Sequence, residues 1–125
     1  MRIFLWNCEV SMSCSKTMQD YVFLKDMYAD SYFPDDLVKK IEGVLRELCV
    51  ELERRMPSSL SLEELYAMTH AATNKINELQ AEFNERGSDI ETGAREAIAE
   101  DFSAIARAYG FTEADTEELI ATRDW

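Results

Sequence analysis

The residue to test first for chemistry is His70, the only histidine in the chain. At helical spacing it lines up with Tyr66, Thr73 and Asn77 in a polar row beside an apolar seam. Such neighbours could fix the imidazole tautomer and make it a base, a ligand contact or an interhelical hydrogen bond. The plainer reading is a shoulder histidine bonded to an adjacent helix. Asp101 is the second candidate. Its helical neighbours are Ala97, Ile98, Ala104 and Ile105, so its carboxylate stands beside apolar surface, a costly position unless it is paired. If two helices pack antiparallel, Asp101 could meet His70. It could equally meet Arg95 or a tyrosine hydroxyl and act as a structural acceptor.

Other reaction chemistries find no matching residues. A carboxylate-bridged metal pair needs two Glu-x-x-His motifs on separate helices, whereas here the one histidine follows Ala67 by three residues. Scattered acids show no calcium or magnesium loop pattern, so neither a metal nor a cofactor is expected. Cys8 and Cys14 lie near the start and Cys49 in an apolar helical stripe, which gives no activated thiolate. Gly-x-Ser-x-Gly elbows, phosphate-cradling glycine loops and Cys-x-x-Cys pairs are absent from the sequence. Asp26, Tyr28, Asp30 and Tyr32 mix aromatics with acids, as recognition surfaces do, although aromatic-rich segments also serve packing.

Charge points to a different class of function. Residues 88–125 carry ten acids against three arginines, and so hold −7 of the −12 net charge. Glu96, Glu100, Glu117 and Glu118 lead this set. Phosphate backbones are bound by lysine and arginine, so nucleic acid is not the expected partner, while a basic protein would suit the surface. Acid-rich helical surfaces also serve simply to keep proteins in solution.

The elements that must position these residues are legible from their ends. Three times a hydroxyl residue is followed three positions later by an acid as an apolar run begins: Ser61 and Glu64, Ser88 and Glu91, Thr112 and Asp115. These are capping-box helix starts, the third with Asp in place of the usual Glu or Gln. Gly87 and Gly110 sit where a helix stops on a residue tolerant of positive φ. An aromatic-rich stretch predicts a short helix over 19–30, closed by Pro34, and Asp35-Asp36 opens a long helix over about 35–56. Its stripe is Leu37, Val38, Ile41, Val44, Leu45, Leu48, Cys49, Leu52 and Met56. Gly43 inside it costs about 1 kcal/mol relative to Ala, which close approach of another helix would justify.

After a turn at Pro57-Ser58-Ser59, the next helix is expected over about 62–86, with Leu60 stapled on Leu65. Its seam is Leu65, Thr69, Ala72, Ile76, Leu79 and Phe83, at the alternating spacing of an antiparallel pair. A helix over about 89–109 shows Ile90, Ala94, Ile98, Phe102, Ile105 and Tyr109, with Glu91 one turn before Arg95. A last short helix over about 113–122 offers Leu119 and Ile120. Trp125 is expected to dock, given the area it can bury. No internal repeat or flexible linker divides the chain.

The stretch Tyr21 to Pro34 (YVFLKDMYADSYFP), followed by Ala67-Met68-Thr69-His70, by Gly87-Ser88-Asp89-Ile90-Glu91-Thr92 and by the ending Leu119-Ile120-Ala121-Thr122-Arg123-Asp124-Trp125, resembles a bacterial family known only as a domain of unknown function. The resemblance runs from about residue 18 to the end. It implies a small all-helical bacterial protein and carries over no reaction, ligand or catalytic residue.

The expected fold is therefore all-α, a single-domain helical bundle of four main helices plus a short N-terminal aromatic-rich helix, over residues 18–125. A chain of this size can bury roughly 65–70% of its unfolded surface, enough for one core. Residues 1–17, with Ser11, Ser13 and Ser15 and no clear period, are expected to be a poorly ordered extension, and Met12 or Met18 could be the true start. Ile3-Phe4-Leu5-Trp6 falls short of the about 7–15 apolar residues of a signal peptide, and no stretch reaches the roughly 20 of a membrane span. The odd, sparse cysteines suit a reducing cytoplasm. The leading expectation is an intracellular interaction module that holds a basic partner on an acidic helical surface, as an immunity protein does. The alternative is a small-molecule-binding or enzymatic bundle with a polar pocket around Tyr66, His70, Asn77 and Asp101. A homodimer joined through an exposed aromatic N-terminal segment is a third possibility.

Overall fold

The structure, a computed structural model, describes residues 18–55 and 60–125. Within them five helices follow in order: α1 (Lys25–Ala29), α2 (Asp35–Arg55), α3 (Leu62–Glu85), α4 (Thr92–Ala108) and α5 (Thr116–Leu119), with no strand. The all-α expectation holds. The expectations for residues 1–17, for Met56 and for the Pro57-Ser58-Ser59 turn lie outside the described residues.

Helix α2 begins where its sequence directs. The Pro34 carbonyl accepts from the Leu37 and Val38 N–H groups, both at 3.0 Å. Asp35 and Asp36 occupy the first turn and Arg54 and Arg55 the last, each matching the sign of the helix dipole at its end. Helix α3 opens on a full capping box: the Glu64 N–H donates to Ser61 Oγ at 3.1 Å, and the Ser61 N–H to the Glu64 carboxylate at 2.9 Å. These bonds to Ser61 hold the Glu64 carboxyl below its ordinary range.

Both glycine stops close in the same way. Gly87, at φ 77°, donates to the Asn84 carbonyl at 3.1 Å, and Ser88 N–H reaches back to Phe83 at 2.8 Å. Gly110, at φ 92°, donates to Arg107 at 3.1 Å, and Phe111 N–H to Ala106 at 2.8 Å. This pairing satisfies carbonyls that the helix end would otherwise leave open.

The same closures overturn two of the three expected helix starts. Ser88 is used to end α3, and its hydroxyl is buried with no partner among the described residues. Helix α4 starts instead at Thr92, after Glu91, whose side chain makes no capping bond. Thr112 does not open the last helix either. Asp115 does, its carboxylate accepting from the Glu117 N–H at 3.0 Å, and α5 is one turn long. Helix α1 is also shorter than the expected 19–30, because Leu24 stands in the left-handed region at φ 54° and cannot continue a right-handed helix.

Helices α2 and α3 form an antiparallel pair, with ion pairs that run in opposite chain directions: Asp36 with Arg86 at 2.9 Å, Lys40 with Glu82 at 2.6 Å, and Glu47 with Lys75 at 3.3 Å. Exposed pairs of this kind contribute about 0–1 kcal/mol each, so they set register more than stability. The core is built from the inward faces of α2, α3 and α4. Ile41, Leu45 and Leu52 of α2, Leu65, Ile76 and Phe83 of α3, and Ile98, Phe102 and Ile105 of α4 are all buried. Each contributes about 1.5–3 kcal/mol of burial. The Thr69 and Thr73 hydroxyls enter the core by donating to the Tyr66 carbonyl at 3.1 Å and the Thr69 carbonyl at 2.8 Å. Helix α1 packs on α4 and α2, and α5 on α4 and α3. Trp125 docks as expected, 7% exposed.

Gly43 is not explained by a close helix, since a Cβ built there meets nothing within 4 Å. Gly43→Ala should therefore stabilise the protein by about 1 kcal/mol through helix propensity alone, measured as a higher urea midpoint with an unchanged slope. A lower midpoint would show a contact that the fold does not contain.

Candidate functional site

The polar row of α3 is present as a row, and the chain's own C-terminal segment occupies it. Asp115 N–H donates to the Tyr66 hydroxyl oxygen at 2.9 Å. His70 Nε2–H donates to the Glu118 carbonyl at 2.7 Å and lies 3.2 Å from Glu118 Oε2, so with two oxygen neighbours this nitrogen carries the hydrogen. Asn77 grips the next stretch at both ends of its amide, donating to the Thr122 carbonyl at 3.0 Å and accepting from the Asp124 N–H at 2.9 Å. The rings of Tyr66 and His70 stack, with centroids 6.4 Å apart and 12° between planes. Side chains thus supply partners to backbone that α5, at one turn, leaves unpaired. Leu119, Ile120 and Trp125 are thereby held in the core.

Asp101 does not join that row. Its Oδ1 accepts from the Tyr21 hydroxyl at 2.6 Å and its Oδ2 from the Leu24 N–H at 2.7 Å, so of the expected alternatives Asp101 meets the tyrosine hydroxyl, as an acceptor, and not His70 or Arg95. Arg95 instead donates to the Trp125 carbonyl at 3.2 Å. The Asp101 carboxylate is 4% exposed, and burial pushes it up to about 6. The bonds from Tyr21 and Leu24 pull the other way, while Glu100 and Asp26 add to the rise. The Tyr21 phenol is raised in turn, chiefly by burial and then by donating to Asp101. The conformation of Leu24 costs about 1–2 kcal/mol. It persists because its N–H is bonded to Asp101 and its side chain is buried at 1% exposure.

Around this tie lies a groove of about 760 Å³ between α1 and α4. Asp26, Asp30, Glu96, Glu100 and Asp101 line it, with Lys25 the single cation of the lining. Exposed Val22, 65% accessible, stands on its edge. Sequence reasoning named Glu96, Glu100 and Asp101 and, separately, the acids of the aromatic segment, but did not join them. No local signal could have done so, because the two sets meet only when α1 packs on α4. Of the aromatic cluster, Tyr28 serves packing, donating to Glu42 at 2.6 Å. Glu117 and Glu118 lie apart from the groove on α5, Glu117 3.4 Å from Arg123 and Glu118 on His70.

These features define a small all-helical protein whose histidine row is bonded to its own C-terminal segment and five of whose carboxylates line one groove. Residues 17–125 match a family of unknown function, DUF5713, and the chain belongs to it. No curated protein and no solved structure matches the chain. No helix of the described residues is long and apolar enough to cross a membrane.

Two outcomes follow from the site. A carboxyl raised from 3.8 to about 6 on folding favours the folded state while it is protonated, and that contribution is lost as pH rises through 6. The stability difference between wild type and Asp101→Asn should therefore shift against wild type by up to ~3 kcal/mol across this interval. Urea unfolding at a series of pH values measures it, and a constant difference would exclude the linkage. Asn77→Ala should loosen the C-terminal segment with the bundle intact. Faster amide hydrogen exchange over residues 119–124, with core amides unchanged, is the expected reading.

Proposed function

We propose that this protein is an interaction module that holds a basic partner in the groove between α1 and α4. The supporting observation is the lining itself: five carboxylates against one ammonium, with the buried Asp101 bonded to neutral donors rather than to a cation. A lysine or arginine side chain from outside would supply the missing positive charge, and Val22 offers apolar contact beside it. Charge complementarity of this kind speeds association and rejects wrong partners. An immunity-like role, neutralising a basic protein in the cytoplasm of a bacterium, is the form of this reading that best suits a net charge of −12. The enzymatic alternative around His70 draws no support from the geometry, because Tyr66, His70 and Asn77 are bonded to residues 115–124 and Asp101 is elsewhere.

Two double variants with the same charge change separate this groove from acidity in general. Glu96→Lys with Glu100→Lys alters the groove, and Glu113→Lys with Glu117→Lys alters the α5 end. Titration of an arginine-rich peptide, followed by amide chemical shifts, should perturb residues 93–100 in the wild type. Affinity should fall by roughly tenfold or more for the groove variant only. Equal loss in both variants would show a diffuse charge effect and defeat the assignment of the groove.

A further inference from the structure

A second groove, of about 770 Å³, runs between α2 and α3, and it shares no lining residue with the acidic one. Its floor is apolar, with Val44, Leu48, Met68 and Ala72, and its rim carries both signs: Arg46, Arg54 and Lys75 against Glu47 and Glu51. This balance matters in a chain of net charge −12, of which −7 lies in residues 88–125. Two copies repel one another over most approaches, and a face of mixed sign is where that repulsion is weakest.

The pattern on α2 goes further than balance. Gly43, Glu47, Val50 and Arg54 are spaced four, three and four residues apart, so they form one stripe along the helix, the spacing of a helix-to-helix seam. Glu47 and Arg54 are well exposed, with side chains 71% and 67% accessible, and Gly43 leaves open space beside them. Within the chain Glu47 lies 3.3 Å from Lys75 and Arg54 2.6 Å from Glu51, and exposed pairs of this kind are weak enough for a partner copy to exchange. A two-fold interface must be complementary to itself. With α2 crossing its copy antiparallel and the axis between Val50 and Glu51, Glu47 and Arg54 are equidistant from that axis. Each glutamate then faces an arginine of the other copy, twice over, around a central pair of valines.

We infer that the α2–α3 face is a self-association surface whose occupant is a second copy of this chain, joined by reciprocal Glu47–Arg54 pairs across a two-fold axis. The surface is distinct from the groove assigned to a basic partner, so the two readings stand or fall separately. Sedimentation of the full chain over a concentration series tests it, with a charge swap as the control. Wild type should show a monomer–dimer equilibrium. Glu47→Arg alone, or Arg54→Glu alone, sets like charges opposite one another and should weaken the dimer by roughly tenfold or more. The double variant Glu47→Arg with Arg54→Glu restores opposite charges and should recover dimerisation to near the wild-type level. A chain that stays monomeric up to roughly 1 mM, single variants that dimerise as wild type does, or a double variant no better than the singles would each overturn the inference.

Discussion

Irregular backbone can lie against an apolar core only if other groups take over the hydrogen bonds that a helix would supply. Both ends of the described chain meet this constraint with side chains from the long helices. At the N-terminal end, Asp101 of α4 accepts from Tyr21 and from the Leu24 amide. At the C-terminal end, Tyr66, His70 and Asn77 of α3 serve the backbone of residues 115–124. Phe23, Leu24, Leu119, Ile120 and Trp125 are buried as a result, and without these ties the core would be open on two sides.

The N-terminal tie also shapes the surface. Arg95, six residues earlier on α4 and so on another face of the helix, does not neutralise Asp101 and is bonded instead to the Trp125 carbonyl. The buried carboxylate is left with neutral donors, and the acids of α1 and α4 face one another across a groove. Two like-signed sets brought this close raise one another's cost of ionisation, which is why Glu100 and Asp26 add to the upward shift of Asp101. A fold optimised only for stability would place a cation there. The α2–α3 side differs in kind: its acids and bases alternate, and Asp36, Lys40 and Glu47 are paired across to Arg86, Glu82 and Lys75.

His70 shows how far a polar row can be read. Its alignment with Tyr66 and Asn77 was legible from spacing, since helical period fixes which residues share a face. Whether such a row receives a ligand or the chain itself depends on what packs over it. That is a contact between residues 70 and 118, too remote in sequence for any local rule. Asp101 has the same history. Its apolar surroundings marked it as costly, while its partners Tyr21 and Leu24 lie 80 and 77 residues away.

The long helices, their seams and their glycine stops were determined by sequence alone, because period, capping and positive φ act within a few residues. The Ser61 box and the stops at Gly87 and Gly110 stand as written. Ser88 carried the same local signal as Ser61, and Thr112 its variant with Asp in place of Glu, and neither opened a helix. In the first case tertiary structure used the residue to close α3; in the second, Asp115 capped α5 instead. Leu24 gave no sign of its left-handed backbone, since only burial and a distant carboxylate hold a leucine there. The acidic groove likewise existed as two unrelated runs of acids until α1 packed on α4. Local propensities choose elements, whereas partners for buried polar groups are settled by long-range packing, and in this protein those partners made the site.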